Sequence, residues 1–260
     1  MTQRQRDYVG VLSRHRPFST CYTESLKSIM ALHNEAINIW SHLIPTFWFL
    51  TMAVWFAATS EDPLDDDMAV VLIYQSAATF CFACSTLYHV FADHVHADWW
   101  QHLDHFGIVT VIWSSAIPFI HFSFDLERYT QQAYIILVSI SAVVALTRIS
   151  ASRSGVHFNR TATHTLHGSI AAVPAIHRLF SCGLCDPLDI MKPFWSLVVA
   201  NCLGGGYYAI GLVHESITMD STISDASHQF MHATAVYGTW IYERGLISVY
   251  KARKRARQSC

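Results

Sequence analysis

The 260-residue chain is 52% hydrophobic and only 14% charged, whereas a soluble domain is roughly a quarter charged, so the deficit points to a surface that faces lipid. Its net charge of −2 gives no global attraction to nucleic acid. The first twenty residues are polar and basic with no apolar core. This argues against a cleavable signal peptide and leaves the first apolar segment to act as an uncleaved anchor.

A membrane-crossing helix needs about 20 mostly apolar residues. Seven stretches qualify in chain order: 42–59, 68–91, 104–124, 129–149, 162–180, 194–214 and 228–250. The second, third and sixth are uninterrupted. The fifth carries His164, His167 and His177, and the seventh meets Glu243 and Arg244 part-way along. Pro118 and Pro174 fall inside segments and are expected to kink them. Gly204, Gly205, Gly206 and Gly211 in the sixth allow a neighbouring helix to come close. Connections are short and there are no repeats. The expected architecture is therefore an all-α membrane protein: a seven-transmembrane-helix bundle over residues 42–250, a cytoplasmic segment 1–41 and a basic tail 251–260.

Lys and Arg counts set the orientation. With the N-terminus in the cytoplasm, eight basic residues fall inside (Arg4, Arg6, Arg14, Arg16, Lys27, Arg148, Arg153, Arg160) against three outside (Arg128, Arg178, Lys192). The acidic first loop, SEDPLDDDM, also falls outside. The tail, with Arg244, Lys251, Arg253, Lys254, Arg255 and Arg257, disagrees, because seven crossings put it outside too. Early helices usually dominate orientation, which favours an outside or lumenal C-terminus over an even number of crossings.

Sixteen histidines are many for this length, and a lone intramembrane histidine is more often an interhelical hydrogen bond than a ligand. Convergence is what matters. The second segment ends with Ser85 and His89 one turn apart, the third opens on Asp104, and the seventh opens with His228 and His232 one turn apart. Counting crossings puts all of them at the cytoplasmic surface. Three imidazoles with an open fourth position describe a catalytic zinc site, with His89, His228 and His232 as ligands. The alternative from the same residues is a buried polar network joining three helices.

At these positions the chain resembles the progestin and adipoQ receptor family, which includes the adiponectin receptors and the haemolysin-III-related proteins. ESLKSIMALHNEAINIWSHLIP, STLYH with HLDHFGI, SAIPFIHFSF and SHQFMH match its ordered blocks over nearly the whole chain. The short ends, lacking the long N-terminal extension of the animal adiponectin receptors, resemble fungal-type members. The resemblance implies a seven-helix bundle with a cytoplasmic N-terminus and an outside C-terminus. It also implies zinc on His89, His228 and His232, with Asp104 beside a zinc-bound water and Ser85 as the family's serine. Implied functions are lipid signalling, sterol and zinc homeostasis, and hydrolysis of the ceramide amide bond.

Other features carry less. Cys81 and Cys84 read as packing residues, and Cys182 and Cys185 are on the opposite side from them, too far for a shared zinc site. His94, His96, His102 and His105 read as solvated residues of the second loop, and Trp99 and Trp100 as interfacial anchors. The leading expectation is a zinc hydrolase of a lipid amide, with Asp104 orienting or deprotonating water and Ser85 hydrogen-bonding the water or developing oxyanion. The alternative is a ligand-sensing receptor with a structural zinc. A transporter should show repeats or paired broken helices, and neither is seen. The expected partners are a lipid held within the bundle and the membrane itself, with a homo-oligomer left open and no nucleic acid.

Overall fold

A computed structural model describes residues 16–59, 65–151, 159–182, 190–218 and 222–258. Its elements are a short helix α1 (Tyr22–Lys27) with a 3₁₀ turn (Ser28–Met30), then seven long helices: α2 (Ala36–Thr59), α3 (Asp66–Val90), α4 (Ala97–Ser123), α5 (Arg128–Ala151), α6 (Arg160–Cys182), α7 (Met191–Thr218) and α8 (Thr222–Gln258). Apart from a single bridge between Ser19 and His94, the described residues form no sheet. Helices α2 to α5 and α7 are long and apolar enough to cross a bilayer by themselves, and the chain is an integral, multi-pass membrane protein. Polar side chains interrupt α6 and α8, the two remaining members of the set. Helices α3 and α4 are central: 61% of their apolar stretches are buried, against 22% for α2, α5 and α7, whose remaining surface faces outward.

Several helix ends differ from the sequence expectation. Helix α2 begins at Ala36 instead of residue 42, and α4 begins at Ala97 instead of 104. In both, polar side chains in the first turns find partners inside the fold, so a helix continues where composition alone reads as loop. Helix α3 starts where the Asp65 carboxylate accepts the Met68 N–H (2.8 Å), with Asp66 and Asp67 in its first turn complementing the helix dipole. Helix α8 runs 37 residues, through the basic tail. At 1.5 Å per residue it is about 55 Å long, well beyond a hydrocarbon core of about 30 Å.

The core is an aromatic column between α3, α4, α7 and α8. Tyr74, Phe119, Phe194 and Tyr242 are essentially fully buried. Tyr242 packs edge-on against Tyr74 (4.9 Å) and Phe194 (5.5 Å), and its hydroxyl donates to the Ser115 carbonyl (2.8 Å). Such rings fill the space at little entropic cost, while the hydroxyl finds the partner a dry interior requires.

Close approach of α7 and α8 depends on small residues at heptad spacing, as expected for Gly204 and Gly211. A β-carbon at Gly204 would collide with Thr234 Oγ1 and lie 3.1 Å from Met231 Cα, and one at Gly245 would collide with the Pro193 ring. Gly205 and Gly206 face open space. Because the proline ring cannot yield, Gly245→Ala is expected to destabilise the bundle by about 1–3 kcal/mol, the usual cost of overpacking. Gly205→Ala should leave the melting temperature of the detergent-solubilised protein unchanged.

The basic tail has counter-charges. Arg253 pairs with Asp67 (3.1 Å) and Asp125 (2.8 Å), Arg257 with Asp65 (3.1 Å) and Asp67 (2.9 Å), and His121 Nε2 meets Asp67 Oδ1 (2.7 Å). The end of α8 therefore shares one end of the bundle with the start of α3 and the end of α4. Residues 89 and 228, at the opposite ends of α3 and α8, lie at the other end.

Candidate metal centre

The second, third and seventh predicted segments bring their histidines together. A ligand nitrogen from each of His89, His228 and His232 lies within 4.8 Å of the other two. His89 and His232 are 3% and 1% exposed, and His228 is half-buried. His228 Nε2 faces His89 Nε2 at 3.3 Å. Two nitrogens held 2.0–2.1 Å from one tetrahedral ion stand about 3.3–3.4 Å apart, so this spacing suits zinc.

The outer hydrogen bonds fix the tautomers. His89 Nδ1 lies 2.8 Å from Glu35 Oε2, and an ionised carboxylate only accepts, so Nδ1 carries the proton and Nε2 a lone pair. Ser41 Oγ donates to the Asn38 carbonyl (2.9 Å), so it accepts from His232 Nδ1 (2.9 Å) and leaves the His232 Nε2 lone pair as well. Histidines whose far nitrogen donates to a carboxylate or hydroxyl are oriented and made more basic toward a metal. Burial pushes the Glu35 carboxyl up, but the hydrogen bonds from His89 and Asn38 and the nearby Arg16 guanidinium outweigh it and hold it below the usual carboxylate range. These hydrogen bonds to the ionised carboxyl therefore stabilise the fold above the ordinary glutamate range, and the contribution is lost as pH falls below that range.

Asp104 sits about two turns into α4, not in its first turn. It is half-buried, within electrostatic reach of His89 and within hydrogen-bonding reach of Ser85. Ser85 Oγ is also bonded to His42 Nδ1 (2.8 Å), and the His42 ring stacks on His232 at 3.8 Å. Tyr208 packs edge-on against His228 (4.9 Å). Within the seven sequence-defined segments, Asp104 is the carboxylate expected at this depth. Glu35, just ahead of α2, is a second one, and Ser41 and His42 join it. Their signal lies in the spacing of Glu35, Asn38 and Ser41 or His42 along one helical face.

Of the histidines read as solvated, His96 is exposed as expected, but the other three are not. His94 and His102 are buried, at 2% and 8% exposed. His102 Nδ1 donates to the Asp98 carbonyl (2.5 Å), and His105 Nδ1 meets His164 Nε2 (2.9 Å). The helix extended back to Ala97 carries His102 and His105 into the bundle, and Tyr22 stacks over His94 (4.1 Å). Cys81 and Cys84 are buried packing residues, as expected, and a β-carbon at Gly107 would lie 2.9 Å from Cys81 Cα. Cys185 and the Cys182 side chain lie outside the described residues.

Residues 30–242 match the profile of the haemolysin-III-related family. The chain belongs to that family. Its relatives are the progestin and adipoQ receptors. One is the progestin and adipoQ receptor-like protein 1 of Caenorhabditis elegans, 29% identical over 92% of this chain and 57% of the nematode protein. Another is the ADIPOR-like receptor IZH2 of Saccharomyces cerevisiae, 25% identical over 95% of this chain and 81% of the yeast protein. A third is the adiponectin receptor protein of Drosophila melanogaster, 22% identical over 89% of this chain and 54% of the fly protein. This haemolysin-III-related chain thus spans little more than half the length of the two animal relatives. In it, every histidine of the candidate centre falls within the matched region.

Proposed function

We propose that this haemolysin-III-related chain is a zinc-dependent hydrolase of a lipid amide of ceramide type. The observation that carries the reading is the convergence of three histidines, with a carboxylate, Asp104, within electrostatic reach of His89 and outside the histidines' hydrogen bonds to Glu35 and Ser41. His89, His228 and His232 would hold the ion. Zinc, when bound, polarises a carbonyl and makes water nucleophilic near neutral pH. Asp104 positions that water and takes its proton. Ser85, within hydrogen-bonding reach of the Asp104 carboxyl, would steady it and offer its hydroxyl to the developing negative charge. A closed structural site has no use for such a base, so chemistry is favoured over a purely structural zinc. Purified protein in lipid nanodiscs should release fatty acid and sphingoid base from ceramide. Zinc-loaded protein that releases neither from ceramides or related lipid amides would favour a ligand-sensing receptor instead.

The same reading includes seven crossings, with the N-terminus and the histidines cytoplasmic and the C-terminus outside or lumenal. It is supported by the eight-against-three count of basic residues and by the pairing of Arg253 and Arg257 with the acidic end of α3. Protease protection of terminal tags in sealed vesicles should show them on opposite sides. Tags cleaved from one side would mean an even number of crossings.

A further inference from the structure

Ahead of α2, the chain folds back across the end of α3, and one residue there makes an unusual number of contacts. The Arg16 side chain is 9% exposed. Its Nε donates to Asp93 Oδ2 (2.9 Å), Nη1 to Ser28 Oγ (2.8 Å) and the Val90 carbonyl (2.9 Å), and Nη2 to the His89 carbonyl (2.7 Å). The path continues from Ser28, whose carbonyl meets His33 Nε2 (3.0 Å). His33 Nδ1 accepts the Glu35 N–H (3.1 Å), and Glu35 Oε2 accepts from His89 Nδ1 (2.8 Å). The circuit closes on His89, held at its backbone carbonyl by Arg16 and at its imidazole by Glu35. The segment between them is pinned to the α3–α4 connection by Ser19, whose N–H donates to the Asp93 carbonyl (2.9 Å) and whose carbonyl accepts from Val95 (3.1 Å).

We propose that Arg16 is a positioning residue for the histidine site, clasping the last turn of α3 so that His89 presents its Nε2 to the ion. The physical case is specific to arginine. The last carbonyls of a helix lack intrahelical partners, and a cation there also meets the negative end of the helix dipole. A guanidinium offers five N–H groups in a rigid fork, and four acceptors around Arg16 use that geometry. Lysine keeps the charge but cannot span Asp93, Ser28 and two carbonyls at once. The clasp deepens the zinc reading above and rests on it for its metal readout, while its effect on the α3 end stands independently.

The test uses the full chain in nanodiscs as wild type, Arg16→Lys, Glu35→Gln and the double variant. Zinc loss to a chromophoric chelator is timed, and amide exchange is followed across residues 86–93 in zinc-free protein. Outer-shell support of a histidine ligand is worth about 10–100-fold in metal affinity. Arg16→Lys should speed zinc loss by about that factor. It should also expose the end of α3 to exchange, while exchange at the opposite end of α3 and the melting temperature of the zinc-free protein stay near wild type. The double variant should lose less than the two single effects multiplied, since both act on His89. Wild-type zinc loss and unchanged exchange in Arg16→Lys would overturn the proposal, as would fully multiplicative effects or a general loss of exchange protection throughout the bundle. If the wild type takes up no zinc, the hydrolase reading fails. The clasp then stands or falls on the exchange at residues 86–93 alone.

Discussion

His89→Ala is expected to abolish both zinc retention and amide hydrolysis, with His228→Ala and His232→Ala doing the same. Each removes one of three protein ligands from a mononuclear site, and the remaining pair cannot hold the ion against competition from water or a chelator. His89 should be the most damaging, because its replacement also strands Glu35, a half-buried carboxylate whose main partner is the His89 imidazole. An uncompensated carboxylate there costs stability as well as metal. Metal analysis of the purified variants, run beside a melting curve, separates the two losses. A triple alanine variant that kept full zinc would place the site elsewhere.

Asp104→Asn is expected to lower hydrolysis by about 10²–10⁴-fold, the usual worth of a positioned general base, while zinc content stays near that of the wild type. Asparagine keeps the shape and can still bond Ser85, but it cannot take a proton from water. Three imidazoles already complete the protein's share of an open catalytic site, so Asp104 is not needed as a ligand. Steady-state turnover and zinc content measured on one preparation check this. Loss of zinc as complete as in His89→Ala would make Asp104 a ligand. Retention of most activity would leave it a helix-packing group held by Ser85.

The bundle is legible in the sequence because a run of about 20 apolar residues, in a chain this poor in charge, is long enough to cross a bilayer and too apolar for a solvated surface. The ends of the helices are less so. Residues 97–103, ADWWQHL, look like a loop by composition, yet His102 bonds back to the Asp98 carbonyl, Gln101 meets Tyr88, and the Trp100 ring packs edge-on against Tyr22 of the N-terminal segment. Among the site residues, Ser85 and His89, and likewise His228 and His232, announce themselves by one-turn spacing, and crossing parity supplies the shared depth. Glu35, Ser41 and His42 do not. They approach from the start of α2 and the residue ahead of it, and their spacing marks a shared face but not its partner: Ser41 is 191 residues from His232 in sequence, so packing reveals the contact. Arg16 carries no signal in composition at all, since one arginine in a basic leader reads as an orientation charge. The tail is the reverse case. It looks misplaced by the charge rule, and its pairing with Asp65, Asp67 and Asp125 supplies a local reason for its position.

The central claim, that these histidines hold a catalytic zinc, is tested most directly by following ceramide hydrolysis as zinc is stripped from the wild-type protein and returned. About one zinc per chain should be present at the start, as a single three-histidine site requires. Turnover should fall in proportion to metal removed and recover with zinc restored. Turnover that persists in metal-free protein, or its absence in protein carrying a full zinc, would contradict the account.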